Sequence, residues 1–212
     1  MRNNLMDIII QIPAILVAFT FHEYAHAFVA DRLGDKTPKF QGRLTFNPIA
    51  HIDPIGFICI VLFNFGWAKP VQTNPRAFKN YYKDDLKVSL AGPLANILVA
   101  FIGAGIMTLM FKFLPPAMFM TNIIGIIIKI LNVIVYLNCI FAFFNLIPLP
   151  GLDGFHILTD LFPGKFYKFS DIAYRYQMVI FLIFIMTPIA SILVRTPANR
   201  LYSFIMSVFS II

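Results

Sequence analysis

The sequence predicts an all-α polytopic membrane protein: a bundle of about four full transmembrane helices with a re-entrant, strand-containing segment and a short C-terminal interfacial helix. Three observations lead there. Of 212 residues, 59% are hydrophobic and 13% charged, and the mean hydropathy is +0.78, far more apolar than a soluble domain of this size. Several apolar runs reach the roughly 20 residues that cross a hydrocarbon core of about 30 Å. The net charge of +7 sits on Lys and Arg in short loops beside those runs, a pattern of membrane topology and anionic lipid headgroups, with no nucleic-acid partner expected. No internal repeat or second soluble unit stands out, so residues 1–212 are expected to form a single membrane-embedded domain.

The first span covers residues 6–30 and carries His22-Glu23-Tyr24-Ala25-His26 in an otherwise apolar run. Ionisable groups inside a membrane segment are costly and usually functional. On a helix, two histidines four residues apart lie about 40° apart and roughly 6 Å along the axis, so both imidazoles can reach one metal ion. Zinc suits that pair, because it accepts neutral imidazole nitrogens in a tetrahedral set and, in catalytic sites, keeps one position for water. Glu23, the only glutamate in the chain, stands beside the pair and could take a proton from that water. Ala25-His26-Ala27 could pass for a signal-peptide cleavage site, but a cut there would divide the motif, so the segment is expected to be retained.

Residues 39–46 mix β-branched, aromatic and polar side chains ahead of Asn47-Pro48 and are expected to form a short strand and turn. The apolar stretch 55–65 is too short for a helical crossing and is expected to dip in and return. A polar stretch over 67–86 precedes a second span at 88–111, where Ala91-Gly92-Pro93-Leu94-Ala95-Asn96 supplies small residues for close helix approach. Asn96 there is either interhelical glue or part of the site. The third span, 122–144, includes Lys129, read as snorkelling or paired. It ends in Asn145-Leu146-Ile147-Pro148-Leu149-Pro150-Gly151-Leu152-Asp153-Gly154, where two prolines and two glycines exclude regular helix. Such an extended segment could deliver one carboxylate, Asp153, to a metal from far along the chain. A fourth span near 177–194, bent at Pro188, is followed by an interfacial tail at 201–212. Cys59 and Cys139 lack Cys-x-x-Cys spacing and read as small buried hydrophobes.

If the short stretch 55–65 does not cross, twelve Lys and Arg fall on one side and four on the other. The positive-inside rule makes the richer side cytoplasmic and brings His26 and Asp153 to the same face.

These blocks, in this order, resemble the site-2 protease family of intramembrane zinc metalloproteases, and more specifically its short prokaryotic members without PDZ or CBS domains. The resemblance runs over residues 20–156 and includes Gly42-Arg43-Leu44-Thr45-Phe46-Asn47-Pro48, His51-Ile52-Asp53-Pro54, Gly66-Trp67-Ala68-Lys69-Pro70-Val71 and Ala91-Gly92-Pro93-Leu94-Ala95-Asn96. It implies zinc ligands at His22, His26 and Asp153, a catalytic glutamate at Glu23 and a substrate-contacting asparagine at Asn145. Gly151 stands where related motifs often have proline, a departure expected to loosen that turn. The implied activity is hydrolysis of a peptide bond in or near a transmembrane segment of a protein substrate, by a cell-membrane enzyme whose site faces the cytoplasm. The catalytic core would cover about 6–156, with C-terminal helices over 157–212. Thr45, in the expected strand edge, and His51, in the covering loop, are further candidates for substrate contact, though His51 could equally cap a turn. His156 could orient Asp153 or simply be solvated. The rival reading is a zinc transporter or metal sensor without proteolytic activity, which would not call for a general base beside the ligands.

Overall fold

The computed structural model describes residues 5–63 and 66–210, and among them helices are the only extended regular elements. Three helices are long and apolar enough to cross a membrane: Ile8–Leu33, Tyr81–Phe113 and Asn122–Asn145. They belong to α1 (Leu5–Leu33), α4 (Tyr81–Phe113) and α5 (Asn122–Asn145), which pack against one another as the centre of the molecule. The contacting faces are built from small residues. Ala14, Ala18, Ala27 and Ala30 of α1 and Ala100 and Ala104 of α4 are fully buried, so backbones approach closely where lipid gives no hydrophobic drive between helices.

Two expected boundaries move. Helix α4 begins at Tyr81, ahead of the apolar run that starts at Val88, because Asp84 accepts the Asn80 amide (3.0 Å) and pairs with Lys87 (2.6 Å) in the first turns. Hydropathy registers only the crossing part, whereas a 33-residue helix is about 50 Å long and projects beyond the hydrocarbon. The expected strand at 39–46 is also absent. A single helical turn, α2 (Thr37–Phe40), starts with Pro38 at its first positions and with the Thr37 amide bound to Asp35 Oδ1 (2.9 Å). Gly42 at φ +68° then reverses the chain, with the Arg43 amide returning to the Pro38 carbonyl (2.8 Å). Local capping overrides the β-branched and aromatic content on which the strand expectation rested.

The short apolar stretch forms α3 (Pro54–Phe63), whose N-terminus is capped by Asp53 through the Gly56 amide (2.8 Å). Its flanks come back together: Ile52 and Ala68 form an isolated antiparallel bridge, and the Lys69 amide donates to the His51 carbonyl (3.0 Å). The segment therefore leaves and returns at one place, as expected of an excursion that does not cross. Among the described residues the flanks are closed by this bridge and neighbouring hydrogen bonds, not by a sheet.

After α5 the chain forms α6 (Asp153–Leu161), α7 (Pro163–Arg175) and α8 (Gln177–Met186), with a 73° bend between α7 and α8. The candidate fourth crossing is this bent pair over 169–186 rather than the expected 177–194; Thr187-Pro188 ends α8, and α9 (Pro188–Ala190) continues through a π-helical turn into α10 (Thr196–Val208). The tail packs along the spanning helices. Ile205 and Met206 of α10 are buried against Ala104, Met107, Val135 and Cys139, Tyr202 accepts from Asn132 (2.9 Å), and the Phe209 carbonyl accepts from Thr108 (3.3 Å). The last two residues of the expected tail lie outside the described residues.

Candidate metal centre

His22, Glu23 and His26 project from one stretch of α1, and Asp153 opens α6, so one carboxylate arrives from a segment 127 residues after His26 in the chain. The turn that delivers it depends on two glycines. Gly151 has φ +91°, a conformation proline cannot adopt, so the departure from proline here is what this turn requires rather than a loosening of it. A side chain at Gly154 would overlap the Leu146 and Ile147 carbonyls, so α6 can start against the end of α5 only without one.

Both histidines have fixed tautomers. His26 Nδ1–H donates to the Val88 carbonyl (2.8 Å), a group that can only accept. His22 Nδ1–H donates to Asn96 Oδ1 (2.7 Å), while Asn96 Nδ2 is committed to the Ala18 carbonyl (3.2 Å) and Asn138 Oδ1 (2.8 Å). Asn138 Nδ2 closes the series on the Ile134 carbonyl (2.8 Å). Asn96, left open as glue or site by its sequence context, is both: it links α1, α4 and α5 and orients a candidate ligand.

With Nδ1 committed in each ring, both Nε2 lone pairs turn inward. They stand 3.1 Å apart, and each lies 3.3 Å from an Asp153 carboxylate oxygen. Two acceptor nitrogens and a carboxylate thus face one point with no donor between them, and Asp153 Oδ2 is buried without a hydrogen-bond partner. Such a set calls for a cation held among the three groups, a proton or a metal ion. Two imidazoles and one carboxylate within mutual reach match the ligand chemistry of zinc with a position left for water. Burial alone would raise the Asp153 carboxyl, but charge on the facing histidines outweighs it and holds the group well below the usual carboxylate range. Helix α4 passes directly over the pair: a Cβ at Gly92 would run into both imidazoles.

Glu23 is buried, and its Oε2 accepts the Val71 amide (2.8 Å) with the Arg43 guanidinium 3.9 Å away. It borders a cavity of about 160 Å³ that also includes the two histidines, Asp153, Asn145, His156, Asp85 and the non-helical residues Pro70, Val71 and Thr73. Asn145 therefore reaches the cavity, with its Nδ2 on the Phe141 carbonyl (3.0 Å). Thr45 and His51 are not among the lining residues. His51 is fully buried and its Nε2–H braces the Thr45 carbonyl (2.8 Å); burial lowers its pKa, which keeps the ring neutral in that role. His156 is exposed at the rim, and Lys129 is exposed on α5. Asp85, Val71 and Arg43 were not singled out by sequence reasoning. The only available signal for Asp85 was its position one turn before Val88 on a helix face that the hydropathy of the span did not include.

The family model described as peptidase family M50 matches residues 10–186. YwhC of Bacillus subtilis (strain 168) is 40% identical over 200 residues, covering 93% of this chain and 90% of the relative. Rip2 of Mycolicibacterium smegmatis is 28% identical over 188 residues, covering 85% and 68%, and MJ0611 of Methanocaldococcus jannaschii is 27% identical over 158 residues, covering 73% and 72%. All three bear the name "putative zinc metalloprotease". No solved structure matches the chain. A match over most of its length and a close relative aligned nearly end to end establish that the chain belongs to peptidase family M50, the site-2 protease family its motifs resemble.

Proposed function

We propose that the chain is a zinc-dependent intramembrane endopeptidase that hydrolyses a peptide bond within or next to a transmembrane segment of a membrane protein substrate. The observation that carries this reading is the convergence of His22 Nε2, His26 Nε2 and the Asp153 carboxylate on one point, beside a carboxylate held separately on Glu23. His22, His26 and Asp153 hold the metal, and Glu23 is the general base. Zinc, when bound, supplies a Lewis acid that acidifies a water and polarises the scissile carbonyl. Glu23 does the proton work. Its Oε2 is engaged by the Val71 amide, which leaves Oε1 to take the proton from the attacking water and pass it to the leaving nitrogen.

A transmembrane substrate must unwind locally to expose its peptide groups. The expected docking edge at 39–46 is a helical turn and a reversal, so that surface is not available for strand pairing. The non-helical residues Pro70, Val71 and Thr73 line the cavity beside Glu23, and an unwound substrate lies against them. Asn145, on the same cavity, is the proposed side-chain contact. The distribution of basic loops supports a cell-membrane orientation with the cavity toward the cytoplasm, and Lys79, Lys83 and Arg76 beside the start of α4 meet anionic headgroups there. The whole of residues 1–212 acts as one membrane-embedded protease domain.

The test is purification of wild type and Glu23→Gln in detergent, with zinc content and cleavage of a single-span membrane substrate measured on both. The reading holds if both carry about one zinc and only wild type cuts. Normal cleavage by Glu23→Gln removes Glu23 from its role, and zinc binding without cleavage by wild type removes the protease reading in favour of metal transport or sensing.

A further inference from the structure

We infer that Arg43 is a positioning residue for Glu23, acting from the mouth of the α3 excursion; the inference rests on the reading of Glu23 as general base. Arg43 is 4% exposed, and its guanidinium is fixed in a fork: Nη1 donates to the Ala50 carbonyl and Nη2 to the Lys69 carbonyl. Those two carbonyls lie on opposite flanks of α3, one before it and one after. Arg43 therefore staples the two flanks together where the Ile52–Ala68 bridge and the Lys69–His51 bond also close them.

The same nitrogen, Nη2, stands 3.9 Å from Glu23 Oε2. Glu23 is 7% exposed, and a buried carboxylate is held in place by a countercharge or by hydrogen-bond donors. Arg43 supplies both, one directly and one indirectly. Its own charge faces Oε2, and its grip on Lys69 fixes the chain two residues before Val71, whose amide is the direct donor to Oε2. Because the fork is rigid and carries two backbone bonds, the charge cannot swing away from the carboxylate. One side chain thus ties the angle of the base to the closure of a loop excursion that contains no ligand of the metal.

The geometry also gives access for a test. A second cavity, of about 420 Å³, is lined by Gln41, Arg43, Lys69, Pro70 and Gln72, so a small cation can reach the space that truncation of Arg43 would leave. Glu23 is the only glutamate in the chain, so glutamate labelled with ¹³C at its side-chain carboxyl reports one carboxylate stretch in difference infrared spectra. The experiment compares wild type, Arg43→Ala and Arg43→Lys as full chains in detergent at one fixed pH, each with and without millimolar guanidinium. Zinc content, kcat, KM and the labelled band are read on all of them.

Arg43→Ala is expected to keep its zinc and its KM, to lose roughly ten- to hundredfold in kcat, and to shift and broaden the Glu23 band. Guanidinium, but not sodium at equal ionic strength, should restore part of both kcat and band. Arg43→Lys should fall between, since it keeps the charge and loses the fork. The inference is overturned by an unmoved band in Arg43→Ala, by unchanged kcat, or by loss of zinc and fold that guanidinium does not reverse, which would mark Arg43 as structural only. If Arg43→Ala does not fold, Arg43→Lys decides by the same band and rates. If wild type itself does not cleave, the protease reading fails, while the labelled band still reports whether Arg43 holds the carboxylate.

Discussion

Replacing Gly92 by alanine should remove the metal while leaving the fold nearly as stable as before. An ideal Cβ built on Gly92 falls 2.5 Å from His22 Cε1 and 2.7 Å from His22 Nε2, and nearer still to His26 Nε2. Ordinary contact between such atoms is about 3.5 Å, so the rings or α4 must give way by roughly 1 Å. Metal–ligand distances tolerate only about 0.2 Å, so that displacement is several times what the three donors can absorb together. Zinc affinity is therefore expected to fall by roughly a hundredfold or more, beyond what most changes in residues around a metal produce. Stability moves little because two effects oppose. Alanine is about 1 kcal/mol better than glycine in a helix interior, and overpacking at one contact costs about 1–3 kcal/mol. The assay is zinc retention against a competing chelator, with thermal unfolding of the metal-free protein followed by circular dichroism. A Gly92→Ala variant that holds zinc within about threefold of wild type would refute the reasoning, because the metal would then not depend on the space above the histidines.

Asn96→Ala should strand His22 Nδ1 and Asn138 together, lowering zinc affinity roughly ten- to hundredfold and thermal stability by about 1–3 kcal/mol; equilibrium dialysis and thermal unfolding check both. Gly151→Pro should fail to position Asp153, since its φ of +91° lies far outside the proline range, and the variant is expected to lose zinc in a stoichiometry measurement. Asp160 gives a pH signature: burial first, and then the negative charge of Asp85, push its carboxyl up to about 7 from the usual 3.8. The folded state then holds a proton that the unfolded chain has released, so stability should decline as pH rises from about 4 to about 7 and level off above. Asp160→Asn should flatten that slope in thermal unfolding scans, and an unchanged slope would assign it to other groups.

Much of the site was legible because its chemistry is carried by rare residues. A His-Glu-x-x-His pattern in an apolar span and one aspartate in a proline- and glycine-rich turn stand out against a chain that is only 13% charged. Spans and the short excursion at α3 were legible from length alone. What escaped were features set by main-chain contacts. The Val71 amide that holds Glu23 and the Val88 carbonyl that holds His26 leave no trace in side-chain identity. The turn at 37–43 was misread because Pro38, Asp35 and Gly42 act as caps, and caps outweigh propensity over so few residues. The packing of the tail escaped because Ile205 and Met206 look alike to hydropathy whether they face lipid or helix.

The opposed lone pairs of His22, His26 and Asp153 have a consequence for the stability of the fold. Without a metal, the α1–α6 contact at these groups is completed by a shared proton, while Phe155 of α6 is buried independently of the site. With the proposed ligands, metal capture displaces that proton, and a ligand that binds only the closed form stabilises it in proportion to the logarithm of its free concentration. The stability of the contact between Asp153 and the first helix is then tied to the free zinc concentration around the site.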